Sequence, residues 1–193
     1  MKPLSAAPIV LLKVNFDADQ LSSLLRYRLE RPAAAAAAAA EPPPEPDDGM
    51  YADSLHFGPG EQLSVRVVGG GGPGFVGFQV VDACLITRPQ VLLRGADFGT
   101  RYAPPSMFAQ SLGATLALGL DLDVGAPVVD PDGYLRVAQT WKSTLDVVGA
   151  AGIWELSFVL TVRILRDDGS EPLRVFFFDP ESEVGGPSTV KRH

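Results

Sequence analysis

An antiparallel β-sandwich of the immunoglobulin or jelly-roll kind, with one short N-terminal helix, is the fold that three features of this 193-residue chain point to. Most segments after residue 50 alternate apolar and polar side chains with a period of two, as half-buried strands do. These segments are short and are separated by turns rich in Gly, Pro and Asp. Hydrophobic residues make up 46% of the chain, which suits a folded core. The length fits one domain, expected over residues 1–181, better than two.

The first element is a strand over Ile9–Phe16, where apolar and β-branched residues dominate. The period then changes. Asp17 with Gln20 three residues on has the form of a capping box, and Leu21, Leu24, Leu25 and Leu29 recur at helical spacing. A helix over Ala18–Glu30, packed on the sheet, is expected. Residues 31–49, RPAAAAAAAAEPPPEPDDG, form a low-complexity insertion. Its eight alanines are too few for a stable isolated helix, and its prolines block any longer regular element. A flexible connector is expected there.

EQLSVRVV turns Leu63, Val65 and Val67 to one face and Gln62, Ser64 and Arg66 to the other. GGGGPG, Gly69–Gly74, lacks the Gly-Lys-Ser/Thr of a phosphate loop and precedes a strand-like segment, FVGFQVVDA. It reads as a hairpin loop. Asp82–Ser111 is less regular. Leu116, Leu118, Leu120, Leu122 and Val124 then share one face of a single alternating run. Asp130-Pro131-Asp132-Gly133 makes a hairpin turn, Pro pre-setting one dihedral and Gly tolerating a positive one. A long strand with Trp154, Leu156, Phe158, Leu160, Val162 and Ile164 on one face turns at Asp167–Ser170 and returns as LRVFFFDPE, which stops at Pro180. Residues 182–193 read as a disordered tail.

The net charge of −7, with cations scattered along the chain, argues against nucleic acid and anionic membranes as partners. One cysteine, Cys84, allows no internal disulfide and reads as a small buried hydrophobe. The N-terminal apolar run is short and interrupted by Lys13, and no stretch nears the ~20 residues of a membrane span, so the cytoplasm is expected. With one Cys and two His, zinc has no ligand set, and neither His56 nor His193 sits in a recognisable triad. The pairs Asp121/Asp123, Asp130/Asp132 and Asp167/Asp168 match no calcium loop, and Asp favours turns on backbone grounds alone. No catalytic residue, metal or cofactor is therefore expected, and the protein reads as non-enzymatic.

Two sets of residues invite a functional reading. Aromatics crowd the last strands, and consecutive Phe residues point to opposite faces, so one face holds rings left over from the core. Phe176, Phe178 and Trp141 are the candidate interface, with open sheet edges as a further route to a homo-oligomer. Alternatively, loops near Asp97 and Tyr102, and near Asp130, Asp132 and Tyr134, hold the aromatic and carboxylate groups of a small-carbohydrate site, although Asn15 is the chain's single Asn.

Thr140–Glu181, with Trp141, Gly152, Phe158, Asp168-Gly169 and Phe178-Asp179-Pro180 in sequence, resembles the end of the bacterial AidA/PixA inclusion-body protein family. IVLLKVNFDADQLSSLL resembles that family's opening strand and helix. The resemblance implies a small cytoplasmic β-rich protein, self-associating, produced under quorum-sensing or late-growth control and linked to host interaction. One branch of the family forms intracellular inclusions. The methionine richness of that branch is missing, since the chain has three Met. The resemblance assigns no catalytic residue.

Overall fold

The computed structural model of the chain describes residues 7–31, 54–91, 104–148 and 152–184. Most of the 31–49 insertion lies outside these residues, as do 185–193. Thirteen strands occur among them: β1 Ile9–Asp17, β2 Arg26–Glu30, β3 Ser54–Phe57, β4 Gln62–Gly71, β5 Phe75–Val91, β6 Thr115–Ala117, β7 Leu122–Val124, β8 Val128–Val129, β9 Leu135–Trp141, β10 Leu145–Asp146, β11 Gly152–Arg166, β12 Leu173–Phe178 and β13 Glu181–Val184. One sheet runs β2-β1-β4-β9-β7, with β10 on β4 and β8 on β9. The other runs β3-β13-β11-β5-β6, with β12 also on β11. The sandwich is thus mainly β, but it is mixed: β1 pairs parallel with β4, and β3 with β13.

Inward residues of both sheets share one core, with Leu12, Val14, Leu63 and Val67 from the first and Leu85, Trp154, Leu156 and Phe158 from the second. Rings bridge the gap between the layers. Phe16 meets Phe78 edge-on at 5.1 Å and stacks on Phe176 at 4.8 Å, Tyr27 stacks on Phe178 at 4.4 Å, and Trp141 meets Phe158 at 6.5 Å. Offset and edge-on geometries like these add to the area that the rings bury.

That seam corrects the candidate interface. Phe176, Phe178 and Trp141 are 0%, 2% and 4% exposed. Of the three consecutive Phe rings, Phe177 alone is open, at 40%, on the opposite face of β12 beside the exposed Leu173 and Val175. The alternation along FFF is as the sequence implies, but the rings at 176 and 178 are consumed by the core.

The expected helix over 18–30 does not form. Its capping pair does: Gln20 Oε1 accepts from Asp17 N at 2.9 Å, and Asp17 Oδ1 accepts from Asp19 N at 2.7 Å. These bonds close a turn, and β2 follows. In β2, Tyr27 and Leu29 turn toward the core while Arg26, Arg28 and Glu30 turn outward, a two-residue period that overrides the leucine spacing. Leu21 is left in solvent.

The strand also continues past Pro180. Pro180 offers no N–H, but its carbonyl accepts from Leu156 N at 2.9 Å, and the chain rejoins the same edge of β11 as β13. Ser182 is fully buried, its hydroxyl donating to Trp154 O at 3.0 Å, so Ser182–Val184 belong to the sheet and not to a tail. The run Thr115–Val124 is likewise not one strand. It crosses between the layers near Gly119, whose carbonyl accepts from Trp141 Nε1 at 2.5 Å.

Arg31 closes the end of β2 on the start of β4. Its Nε and Nη2 each lie 3.3 Å from a carboxylate oxygen of Glu61, and Nη2 donates to His56 O at 2.5 Å. Glu61 is nearly buried and also accepts from Gly58 N at 2.7 Å, so its charge is matched on both oxygens.

Phe176→Ala is expected to cost about 3–5 kcal/mol and Phe177→Ala less than about 1 kcal/mol, as read from urea unfolding midpoints. Equal costs would contradict the facing assigned to β12.

Candidate functional site

A half-open polar cleft of about 460 Å³ lies on the outer face of the first sheet, at the end where β1 finishes and the β8–β9 hairpin folds over. Asn15, Asp17, Gln20, Arg26, Gly70, Asp130, Asp132, Tyr134 and Arg136 line it, with Phe16 and Val68 beneath. Three of the candidate ligand-loop residues, Asp130, Asp132 and Tyr134, are brought together here. Asp97 and Tyr102 lie outside the described residues.

The glycine run explains how the cleft is made. Gly69, Gly70 and Gly71 are residues of β4, and the turn is confined to Gly72–Gly74, so the whole stretch is not the loop its composition suggests. A Cβ on Gly69 would stand 2.6 Å from both Phe16 and Phe78, and one on Gly71 would stand 2.5 Å from Phe75. These inward glycines are the space that the core rings occupy. Gly70 points outward, where a Cβ would lie 2.5 Å from the Tyr134 hydroxyl. Its missing side chain lets Tyr134 lie flat on the sheet.

Tyr134 is held there from several sides. Its hydroxyl donates to Asp17 Oδ2 at 2.5 Å, its amide donates to Asp132 Oδ1 at 3.2 Å, and its carbonyl accepts from Asp130 N at 2.9 Å. The Arg136 guanidinium lies 5.4 Å from the ring centre and pairs with Asp130 Oδ2 at 2.8 Å. The turn closes at Gly133, whose positive φ of 81° a side chain would strain. Burial first, then the hydrogen bond to Asp17 and its charge, push the Tyr134 hydroxyl up to about 12.

Asp17, Asp130 and Arg136 are therefore committed to one another and to Tyr134. The Asn15 amide and the Arg26 guanidinium, neighbours in the β1–β2 register, have no side-chain hydrogen bond or ion pair among the described residues. They are the groups free to meet a ligand. In the sequence Asn15 stands out only as the chain's single Asn, and Arg26 lies inside the stretch expected to be helical. The usable signal was the alternation itself, Lys13-Asn15-Asp17 and Arg26-Arg28, which puts polar groups on one face, but only the strand order sets the two runs side by side.

The other acidic pairs do different work. Asp121 and Asp123 lie 2.7 Å and 3.8 Å from Lys142 Nζ. Asp168 Oδ1 accepts from Ser170 N at 2.8 Å in the turn before β12. The described residues contain no group of three or more His, Cys, Asp or Glu arranged to hold a metal ion, and no helix among them is long and apolar enough to cross a membrane. Cys84 is half-buried on the outer face of β5, and burial, with Asp82 beside it, raises its pKa, which keeps it a thiol. Comparison with protein-family models, with characterised proteins and with solved structures returns no match.

Tyr134 ties the cleft to alkaline stability. Its folded pKa is raised above the ordinary 10.0, so its contribution is fully present below about pH 10 and is lost as the pH climbs toward about 12. Replacing it, Tyr134→Phe, is expected to remove the last tyrosinate absorbance step in an alkaline titration and to flatten the fall in stability across that window. A step retained in the variant would contradict the assignment.

Proposed function

We propose that the protein is a non-catalytic binding module whose ligand is a small polyhydroxylated molecule of the carbohydrate type, seated in the Tyr134 cleft. The supporting observation is the contrast within that cleft. Tyr134, Asp17, Asp130 and Arg136 are locked together, whereas Asn15 and Arg26 carry free donors and acceptors at its mouth. A rigid wall beside uncommitted hydrogen-bonding groups lowers the ordering cost of binding and suits hydroxyl recognition. The site presents polar groups without an activated nucleophile, and recognition is the chemistry they suit. A glycan array probed with the intact protein is expected to give discrete hits, which Asn15→Ala and Asp132→Ala weaken by about tenfold each. An array with no hit at all would refute this reading.

A second reading is self-association through a sheet edge. β7 and β8 form a broken edge strand along β9, with Val124, Val128 and Val129 at 67%, 58% and 65% exposure. Among the described residues this apolar edge has no further strand beside it, and such an edge favours strand-to-strand pairing with a second copy. The resemblance of Thr140–Glu181 to the AidA/PixA family, with its inclusion-forming branch, supports it. Light scattering behind size-exclusion chromatography is expected to detect a dimer or larger species that Val128→Lys returns to monomer. A monomer at high concentration would count against it.

A further inference from the structure

The cations that look scattered along the sequence converge on the same face as the cleft. Strand register sets Arg28 beside Lys13 on one side and Arg66 beside Lys13 on the other. Three cations thus stand in one row across β2, β1 and β4, with neighbouring Cα atoms about 5 Å apart. Arg26 belongs to the adjacent row on that face, paired with Asn15 at the cleft mouth.

This concentration occurs in a chain whose net charge is −7, and it is poorly compensated. Glu30 pairs with Arg28, and Arg66 Nε donates to the neutral Thr140 Oγ1 at 3.0 Å. Among the described residues no carboxylate forms an ion pair with Lys13, Arg66 or Arg26. Like charges directly opposite one another weaken a sheet, so the row stores a repulsion that an external anion would relieve.

Resting on the cleft reading above, we infer that the ligand is an acidic oligosaccharide. Its hydroxyls meet Asn15 and the Asp132–Tyr134 turn, and its carboxylate or sulfate groups meet Arg26 and the Lys13–Arg66 row. The charges also set the orientation. Asp132 repels an anionic group at the turn end, so the acidic end of the ligand lies toward β2 and the neutral hydroxyls toward the hairpin. The guanidiniums of Arg26 and Arg66 suit planar carboxylate and tetrahedral sulfate alike, by paired N–H donors.

Calorimetry on the full chain with four probes tests the inference: trigalacturonate for carboxylates, a heparin-derived tetrasaccharide for sulfates, uncharged maltotriose, and a single-stranded oligonucleotide. An acidic probe is expected to bind more tightly than maltotriose, with affinity falling as salt screens the row. Changing Lys13→Gln and Arg66→Gln together should weaken the acidic probe on the order of tenfold or more and leave maltotriose unaffected. Both side chains are half-buried on the outer face, and the loss of two like charges from one row offsets the bond that Arg66 gives up to Thr140, so the variant is expected to melt close to the parent. The stronger of the two acidic probes identifies the anionic group. Maltotriose binding as tightly as either acidic probe, sensitive to Asn15→Ala and indifferent to the double change, would overturn the anionic inference and spare the cleft reading. No binding of any saccharide would overturn both. Tighter binding of a single-stranded oligonucleotide than of either acidic saccharide would overturn it in favour of nucleic acid.

Discussion

Phe16 sits between Phe78 and Phe176 across the gap that separates the two sheets, and this contact sets where β1 can run. Close-packed interiors leave little slack, so a ring of that size must be matched by an absence opposite it. Gly69 is that absence. Its neighbour Gly71 does the same for Phe75. With β1 and β4 fixed together by parallel pairing from Ile9 to Asp17, the depth of the seam is carried along the whole of the first sheet. Tyr27 on Phe178 and Trp141 on Phe158 repeat the contact toward other parts of the layer, so the sheets are joined at several points and not hinged at one.

The cleft is the outward side of the same arrangement. Between two inward glycines lies an outward one, and the pleat makes this unavoidable for three in a row. Gly69 and Gly71 serve the core, and Gly70 leaves a bare patch of sheet that Tyr134 covers. The Asp17 carboxylate that receives the Tyr134 hydroxyl sits one residue beyond Phe16, so the residue that anchors the core seam also delivers the anchor of the cleft wall. Core packing and site geometry are therefore coupled through two consecutive residues of β1. A change that shifts Phe16 would also move Asp17.

Much of the fold was legible in the sequence because its strands alternate strictly. The faces of β11 and of Gln62–Val68 in β4 follow from their side chains one by one, whereas β9 turns Gln139 inward, its amide donating to Phe78 O at 2.7 Å. What alternation cannot supply is which strand lies beside which. Lys13, Arg28 and Arg66 are brought into line by two pairings, antiparallel β1–β2 and parallel β1–β4, that no local pattern encodes. The helix expected at 18–30 failed for a different reason. Leucines at helical spacing coincided with Tyr27 and Leu29 at strand spacing, and tertiary burial against Phe178 decided between them. The aromatic interface failed because a count of rings does not reveal how many the core consumes. Trp141, Phe176 and Phe178 each face a ring of the other sheet or a glycine-made space, and none is left over. The turn at Asp130–Gly133 was read more accurately, since Pro and Gly in Asp-Pro-Asp-Gly favour a tight turn on backbone grounds.

The Arg31–Glu61 pair has an evolutionary corollary. It fastens the chain leaving β2 to the strand that the chain rejoins, through His56 O and Gly58 N on the far side of residues 32–53. Joining two points of a chain costs only logarithmically more as the number of residues between them grows, and here Arg31 and Glu61 are already moored to each other. The fold can therefore accept a change in length or composition between those moorings with little effect on the sandwich. A low-complexity run such as the eight alanines is the kind of sequence that such a place tolerates.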